Sequence, residues 1–363
     1  MELTNEQRKY FGLELVDPSW DRMEIPSNSV HPELSDGVVV MYFDDDILRK
    51  EISVWNKGGF TESAYNLKTQ DNRTMIAPIT SRGKAKRLNG VNIQRCKPYG
   101  TYMRLSINND GTAGVLIGNY DTQRTYYGSA SVKLPPEEFI SKWIAETTEK
   151  DFADLEEFNN AKRKHCKFKE GDFFRFKFDR RHYGYGRILL DVYKWVKSGG
   201  EFWNVLMGRA VCVSIYHIVT EDPDVSIEEL AKLGSCPSEY IMDNVLYYGD
   251  YEIIGNAPLP EDIEYPVMYG RSISGLDRNK ICLCIGKIYR EIPLEGNKNP
   301  GREFFNAGIG FHPSVNMEIA KACMESKSNN PYWERNHAFS YRSNLRDPQY
   351  KELFETVKKQ FGL

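Results

Sequence analysis

The chain has 363 residues, of which 40% are hydrophobic, 13% aromatic and 27% charged, with a formal net charge of −3. That length exceeds the roughly 250–300 residues over which one hydrophobic core keeps growing, so two domains are expected, and the composition is that of a globular protein. No apolar run approaches the ~20 residues that cross a bilayer, the start "MELTNEQRKY" has no signal-peptide core, and seven scattered cysteines fit reduced thiols, which together predict a cytoplasmic protein with no membrane partner.

In chain order, Thr4 with Gln7 three residues on predicts a capped first helix. After prolines at 18, 26 and 32, the runs "GVVVMYF", "EISVW", "TMIAPIT", "TYMRLSI", "AGVLIG" and "RTYYGSASV" are short, β-branched or aromatic, and punctuated by Lys57-Gly58-Gly59 and Asn109-Asp110-Gly111. They predict a mostly antiparallel sheet from about residue 36 to 133. Pro136 opens a helix-forming stretch to about 165, with a break expected at Thr147-Thr148. Beyond it, Phe174, Phe176 and Phe178 alternate with Arg175 and Lys177 at a period of two, the mark of a half-buried strand. "GRILLDVYKW", "AVCVSIYHIV", "YEIIGNAPLP" and "ICLCIGKIY" read as further strands, and Ser226 with Glu229 caps a short helix in "SIEELAKL". The tail holds a predicted helix in "PSVNMEIAKACMESK" and another with Tyr350, Leu353, Phe354, Val357 and Phe361 on one stripe. The expected class is α+β. Its expected parts are a β-rich domain over 1–135 of unassigned role, a helical connector over 136–165, an α+β domain over 166–295 and a helical tail over 296–363.

Chemistry-bearing motifs are absent. "GRSISG" at 270–275 lacks the spacing of a nucleophile elbow, and neither phosphate-cradling glycine loop occurs. Cys282 and Cys284 have no second pair at zinc spacing, and alternate residues of a strand share one face, so both read as core. Asp44-Asp45-Asp46 reads as a turn. The expectation is therefore no catalytic residue, no metal and no cofactor.

Charge is unevenly spread. Residues 72–109 hold eight basic side chains and no acidic one, whereas 217–264 hold twelve acidic and one basic, a net −11 that leaves +8 for the rest. Complementary potential speeds encounter and selects partners. Asp222, Asp224, Glu228, Glu229, Asp250 and Glu252 are the candidates for docking a basic protein.

One further stretch, "RHYGYGRILL", agrees with the RNA-recognition signature at Tyr183, Gly184 and Tyr185 but fails at His182 and Gly186. Glycines at 184 and 186 fit better a bulge or a close approach between strands. Read from Lys169 through Gly171, Asp172, Phe174, Tyr183, Gly184, Tyr185, Gly186 and Arg187 to Ile253, Ile254, Gly255, Pro258 and Leu259, the segment resembles the bacterial immunity protein 26 family over about residues 166–295. The resemblance implies an α+β domain that binds and neutralises a cognate toxin, commonly a nuclease of a polymorphic toxin system. A nuclease that grips phosphates is basic, which suits the acidic segment. Two alternatives stand beside this reading: a nucleic-acid-binding or other interaction protein using the basic stretch 72–109, and a metal-dependent phosphotriesterase-like hydrolase, a label some relatives carry. The hydrolase reading would need a metal-activated water.

Overall fold

In a computed structural model of the chain, Thr4 and Gln7 close the expected capping box over α1 (Asn5–Lys9). The structure describes residues 1–27, 37–55, 58–78, 80, 82–201, 209–236, 238–261, 263, 265–271, 279–295, 304–305, 345 and 347–363. They fall into two units, Met1–Lys164 and His165–Leu363. The architecture is α+β, and the strand pairs are antiparallel.

The first unit is built on β1 (Asp21–Pro26), β2 (Val38–Asp44), β3 (Ile47–Val54), β4 (Phe60–Gln70), β5 (Met75–Ile76), β6 (Lys86–Arg87), β7 (Tyr99–Ile107), β8 (Ala113–Asn119) and β9 (Arg124–Val132). Their order is β1-β2-β3-β4-β7-β8-β9, with β5 and β6 continuing from β4. Alternation sorts the side chains by face. Val40, Ile52, Phe60, Met103, Leu105 and Ile117 pack on one side, and Val39, Met41, Phe43, Leu48 and Leu67 on the other. The second side is covered by Ile76, Leu88 and Ile93, the last on α2 (Gly90–Ile93). The first side is covered by α3 (Pro136–Ala145) and α4 (Glu149–Asn160), which separate at Thr147-Thr148, where Thr148 and Asp151 form a new capping box. Phe139, Trp143, Leu155 and Phe158 enter the core of this unit, so the helices of 136–160 are structural members of it.

That face carries a buried ion cluster. Glu62, 1% exposed, accepts on Oε1 from Arg8 Nε and Lys50 Nζ, both at 2.7 Å. Lys50 Nζ also donates to the Glu14 carbonyl.

The second unit contains β10 (Asp172–Lys177), β11 (Tyr183–Asp191), α5 (Val192–Lys197), β12 (Ala210–Thr220), α6 (Ile227–Leu230), β13 (Glu239–Met242), α7 (Asn244–Tyr247) and β14 (Glu252–Asn256). These strands form a sheet of order β13-β12-β11-β10-β14. Phe174 and Phe176 lie with Ile188, Val213, Ile215 and Leu246 on one face, and Phe178 packs at its margin. Phe173, Tyr185, Tyr216 and Leu230 lie on the other.

Beyond Pro258, Pro260 and Pro266, which cannot continue a ladder, the chain builds a second sheet from β15 (Val267–Arg271), β16 (Lys280–Ile285), β17 (Ile288–Pro293) and β18 (Phe304–Phe305), ordered β17-β16-β15-β18. The run "ICLCIGKIY", expected as one strand, is thus a hairpin. Ile285 pairs with Ile288 across Gly286-Lys287, and Gly286 takes the positive φ of +56° that a two-residue turn asks of its first position. Met268, Cys282 and Cys284 share a core with Leu190, Cys212 and Tyr240. The opposite face packs against α8 (Lys351–Gln360) through Val357, Phe361 and Phe354. Leu353, expected on that stripe, is exposed. The helix expected in "PSVNMEIAKACMESK" lies outside the described residues.

Candidate functional site

The residues of the "HYGYGRILL" stretch are placed by a close fit between β10 and β11. Phe174 stands directly opposite Gly186 and Phe176 opposite Gly184. Each phenylalanine ring lies on the glycine it faces: a Cβ at position 184 would sit 2.5 Å from Phe176 Cζ, and one at 186 would meet the Phe174 ring and the Ser214 carbonyl. Both glycines precede or bracket shifts in register against β12, so the expected bulge and close approach are both present. Neither has a positive φ. Lack of space is the reason for these glycines, and backbone strain is not. Gly184→Ala should therefore destabilise the second unit by about 2 kcal/mol, the usual cost of overfilling a packed core. Adding Phe176→Leu should recover part of that loss in a double-mutant cycle read by hydrogen exchange of β10 and β11. Strict additivity of the two changes would show that the ring is not the obstacle.

The other motif positions lock the same framework. Gly171 has φ +86°, and a Cβ there would run into the Ala257 carbonyl. Asp172 accepts from the Lys169 amide and from Asn256 Nδ2, each at 2.8 Å, tying β10 to β14. Arg187, 7% exposed, donates to the Ala257 and Pro258 carbonyls at 2.7 Å and lies 4.5 Å over the Phe173 ring. A Cβ on Gly255 would press on Ile227 of α6 at 2.9 Å. Tyr185, fully buried, donates its hydroxyl to the Asp222 carbonyl at 2.8 Å. The motif is a scaffold that presents the loop after β12.

That loop carries part of the acidic segment. Asp224 and Glu252 converge on Arg175, which the sequence marks only as an outward-facing strand alternate. Its Nη1 lies 3.3 Å from Asp224 Oδ1 and 2.9 Å from the Pro223 carbonyl, and its Nε and Nη2 reach Glu252 Oε2 at 3.0 and 2.9 Å. Glu229 is engaged with Ser226 in the cap of α6. Asp222 Oδ1 accepts from the Asp224 amide. Glu221, Asp222 and Glu228 are exposed. Asp250 is half-buried in the turn ahead of β14. Four of the six candidates, Asp222, Asp224, Glu228 and Glu229, thus lie on residues 222–229, and Glu252 joins them through Arg175. What hid Arg175 from a sequence reading is distance: its partners stand 49 and 77 residues away.

In the first unit the basic stretch is dispersed over several elements. Arg73 pairs with Asp21 at 2.8 Å and covers Phe43, and Arg104 covers Trp55 at 5.1 Å. Lys86 and Arg87 form β6 and are exposed. Among the described residues no group of three or more His, Cys, Asp or Glu side chains is placed to hold a metal ion. No described helix is long and apolar enough to cross a membrane.

Neither a curated protein nor a solved structure matches the chain. A family model does, from Lys169 at the entry to β10 through Ile281 in β16. The span is about a third of the chain and takes in the glycine–phenylalanine pairs, the Arg175 cluster and α6. Over residues 169–281 the chain is thus similar to the family Immunity protein 26.

Proposed function

We propose that the protein is an immunity protein of a polymorphic toxin system, and that it neutralises a basic nuclease toxin by laying the acidic surface of residues 221–229 over the toxin's phosphate-binding face. The observation that carries this reading is the match to Immunity protein 26 over 169–281, the part of the chain in which the motif residue Tyr185, together with Arg175, holds that acidic loop in place. Exposed acidic side chains facing a basic partner raise the association rate more than they raise affinity, and they do so most strongly at low salt.

The structure refines which side chains to change. Asp224 and Glu252 neutralise Arg175 and Glu229 caps α6, so reversing them would disturb the fold as well as the surface. Glu228 takes no part in these contacts, and Asp222 accepts on Oδ1 from the Asp224 amide in an exposed turn. In the double variant Asp222→Lys/Glu228→Lys, association with a purified cognate toxin domain should slow by about tenfold or more at low ionic strength, and most of the salt dependence should vanish. Stopped-flow association at several salt concentrations measures both. Unchanged rates with an unchanged salt slope would exclude this surface. Nuclease activity of the toxin domain that persists beside a stoichiometric excess of bound wild-type protein would exclude occlusion of the active face.

A further inference from the structure

The face of the first sheet opposite α3 and α4 is apolar at one end only. Val39, Met41 and Phe43 are covered there by Ile76, Leu88 and Ile93. Next to that cover, over β3, β4 and β7, the sheet opens into a cavity of about 450 Å³. Its floor is polar. Glu51, 4% exposed, points the same way as Ser53, whose hydroxyl donates to Glu51 Oε1. Its neighbour across the strands is Ser63, whose hydroxyl is 3.1 Å from that of Tyr120. Trp55, Tyr65 and Tyr120 supply aromatic walls, and Trp55 Nε1 is buried with no hydrogen-bond partner among the described residues. Arg104 lies over the Trp55 ring at the mouth.

A carboxyl group withdrawn from water is costly unless a cation meets it. The cation cluster of this unit, Arg8 and Lys50, serves Glu62 on the opposite face, and burial, not a positive neighbour, governs Glu51, whose carboxyl is pushed up to about 7. A strand position facing an apolar cover would hold a small apolar side chain at no such cost. An uncompensated carboxyl, hydroxyls and aromatic walls around an open volume are the features of a binding site. Aromatic faces beside a carboxylate attract organic cations, and the guanidinium of Arg104 already occupies one of them.

We propose that this cavity binds the guanidinium head of a small organic cation that also bears an acceptor: the head would meet Glu51 between Trp55, Tyr65 and Tyr120, and the acceptor would meet Arg104. The site is independent of the toxin-docking reading, since it belongs wholly to the first unit. Free arginine and an arginine side chain carried by another protein offer the same head, and two probes separate them: arginine itself, and N-acetyl-arginine amide, which is blocked as in a polypeptide.

Both probes would be titrated into the full-length ¹⁵N-labelled protein, following the Trp55 indole resonance assigned with Trp55→Phe. At least one should bind with a dissociation constant in the millimolar range or below. Glu51→Gln should weaken that binding by about tenfold or more. Thr61→Phe, which fills the cavity and leaves Glu51 in place, should abolish it even if Glu51→Gln disturbs folding. Affinity should also rise about tenfold from about pH 5 to about pH 8, as Glu51 ionises, and Glu51→Gln should remove that rise. The other groups facing Glu51 are Glu62 through the sheet, Arg104, and the Tyr65 and Tyr120 hydroxyls. Both hydroxyls are raised above their ordinary values by burial and stay protonated over this range. Tighter binding of N-acetyl-arginine amide identifies a side-chain source, and tighter binding of arginine identifies the free amino acid. No response from either probe, equal binding by Glu51→Gln, or a preference for glutamate or guanosine would overturn the assignment.

Discussion

Glu62→Gln should destabilise the first unit by about 3–5 kcal/mol, the usual cost of removing one partner from a buried ion cluster. Glu62 Oε1 is the acceptor shared by Arg8 Nε and Lys50 Nζ, and all three residues are 3% exposed or less. Without the carboxylate, two cations face each other in a protein interior. Burial already pushes the Lys50 ammonium below its ordinary value, and Glu62 is the largest influence opposing that shift, so the variant should shed a proton from Lys50 nearer to neutral pH. Because the chain has two units, a single unfolding midpoint would mix them. Hydrogen exchange of the β3 and β4 amides reads the first unit alone. Protection in β10 and β11 should not change. A triple replacement of Arg8, Lys50 and Glu62 by Met, Met and Leu should restore most of the lost protection, since an apolar cluster of similar volume carries no desolvation penalty. Equal loss in the single and triple variants would show that packing, not charge, sets the effect.

The contrast between what the sequence disclosed and what it hid follows from range. Capping boxes at Thr4 and Ser226, the break at Thr147-Thr148 and the period of two in "FFRFKF" depend on residues within four positions of one another, and each forms as read. Gly184 and Gly186 are legible as a close approach, but the reason is not: nothing local says that the rings of Phe176 and Phe174, eight and twelve positions away, will lie on them. "ICLCIGKIY" hid a hairpin because its turn, Gly286-Lys287, interrupts an apolar run with only one polar residue. Glu51 and Glu62 look alike in sequence, eleven positions apart in a sheet region. Only their partners distinguish them, since Ser63 stands across from one and Ile52 from the other. The same holds for the acidic segment, where net charge was readable but the division into exposed residues and residues paired with Arg175 was not.

In the absence of a bound cation, Glu51 should make the first unit less stable as pH rises. Its carboxyl is pushed from 4.5 to about 7 by burial, with a smaller contribution from Glu62, while the hydrogen bond from Ser53 opposes the shift. A group that holds its proton more tightly when folded gives a contribution fully present below the unfolded value and lost as pH climbs through the folded one. The window is therefore about 4.5 to 7, and the loss across it is on the order of 3 kcal/mol, the equivalent of that shift for a fully buried group. Glu51→Gln cannot ionise, yet its amide oxygen can still accept from Ser53. It should match the wild type near pH 4.5 and exceed it above pH 7, so the two stability profiles diverge across the window and run parallel beyond it. Hydrogen exchange of β3, compared at about pH 5 and about pH 8 after correction for intrinsic rates, reads that divergence. A constant difference between the two proteins at both pH values would mean that Glu51 is already charged in the folded chain, and that water or a cation reaches it.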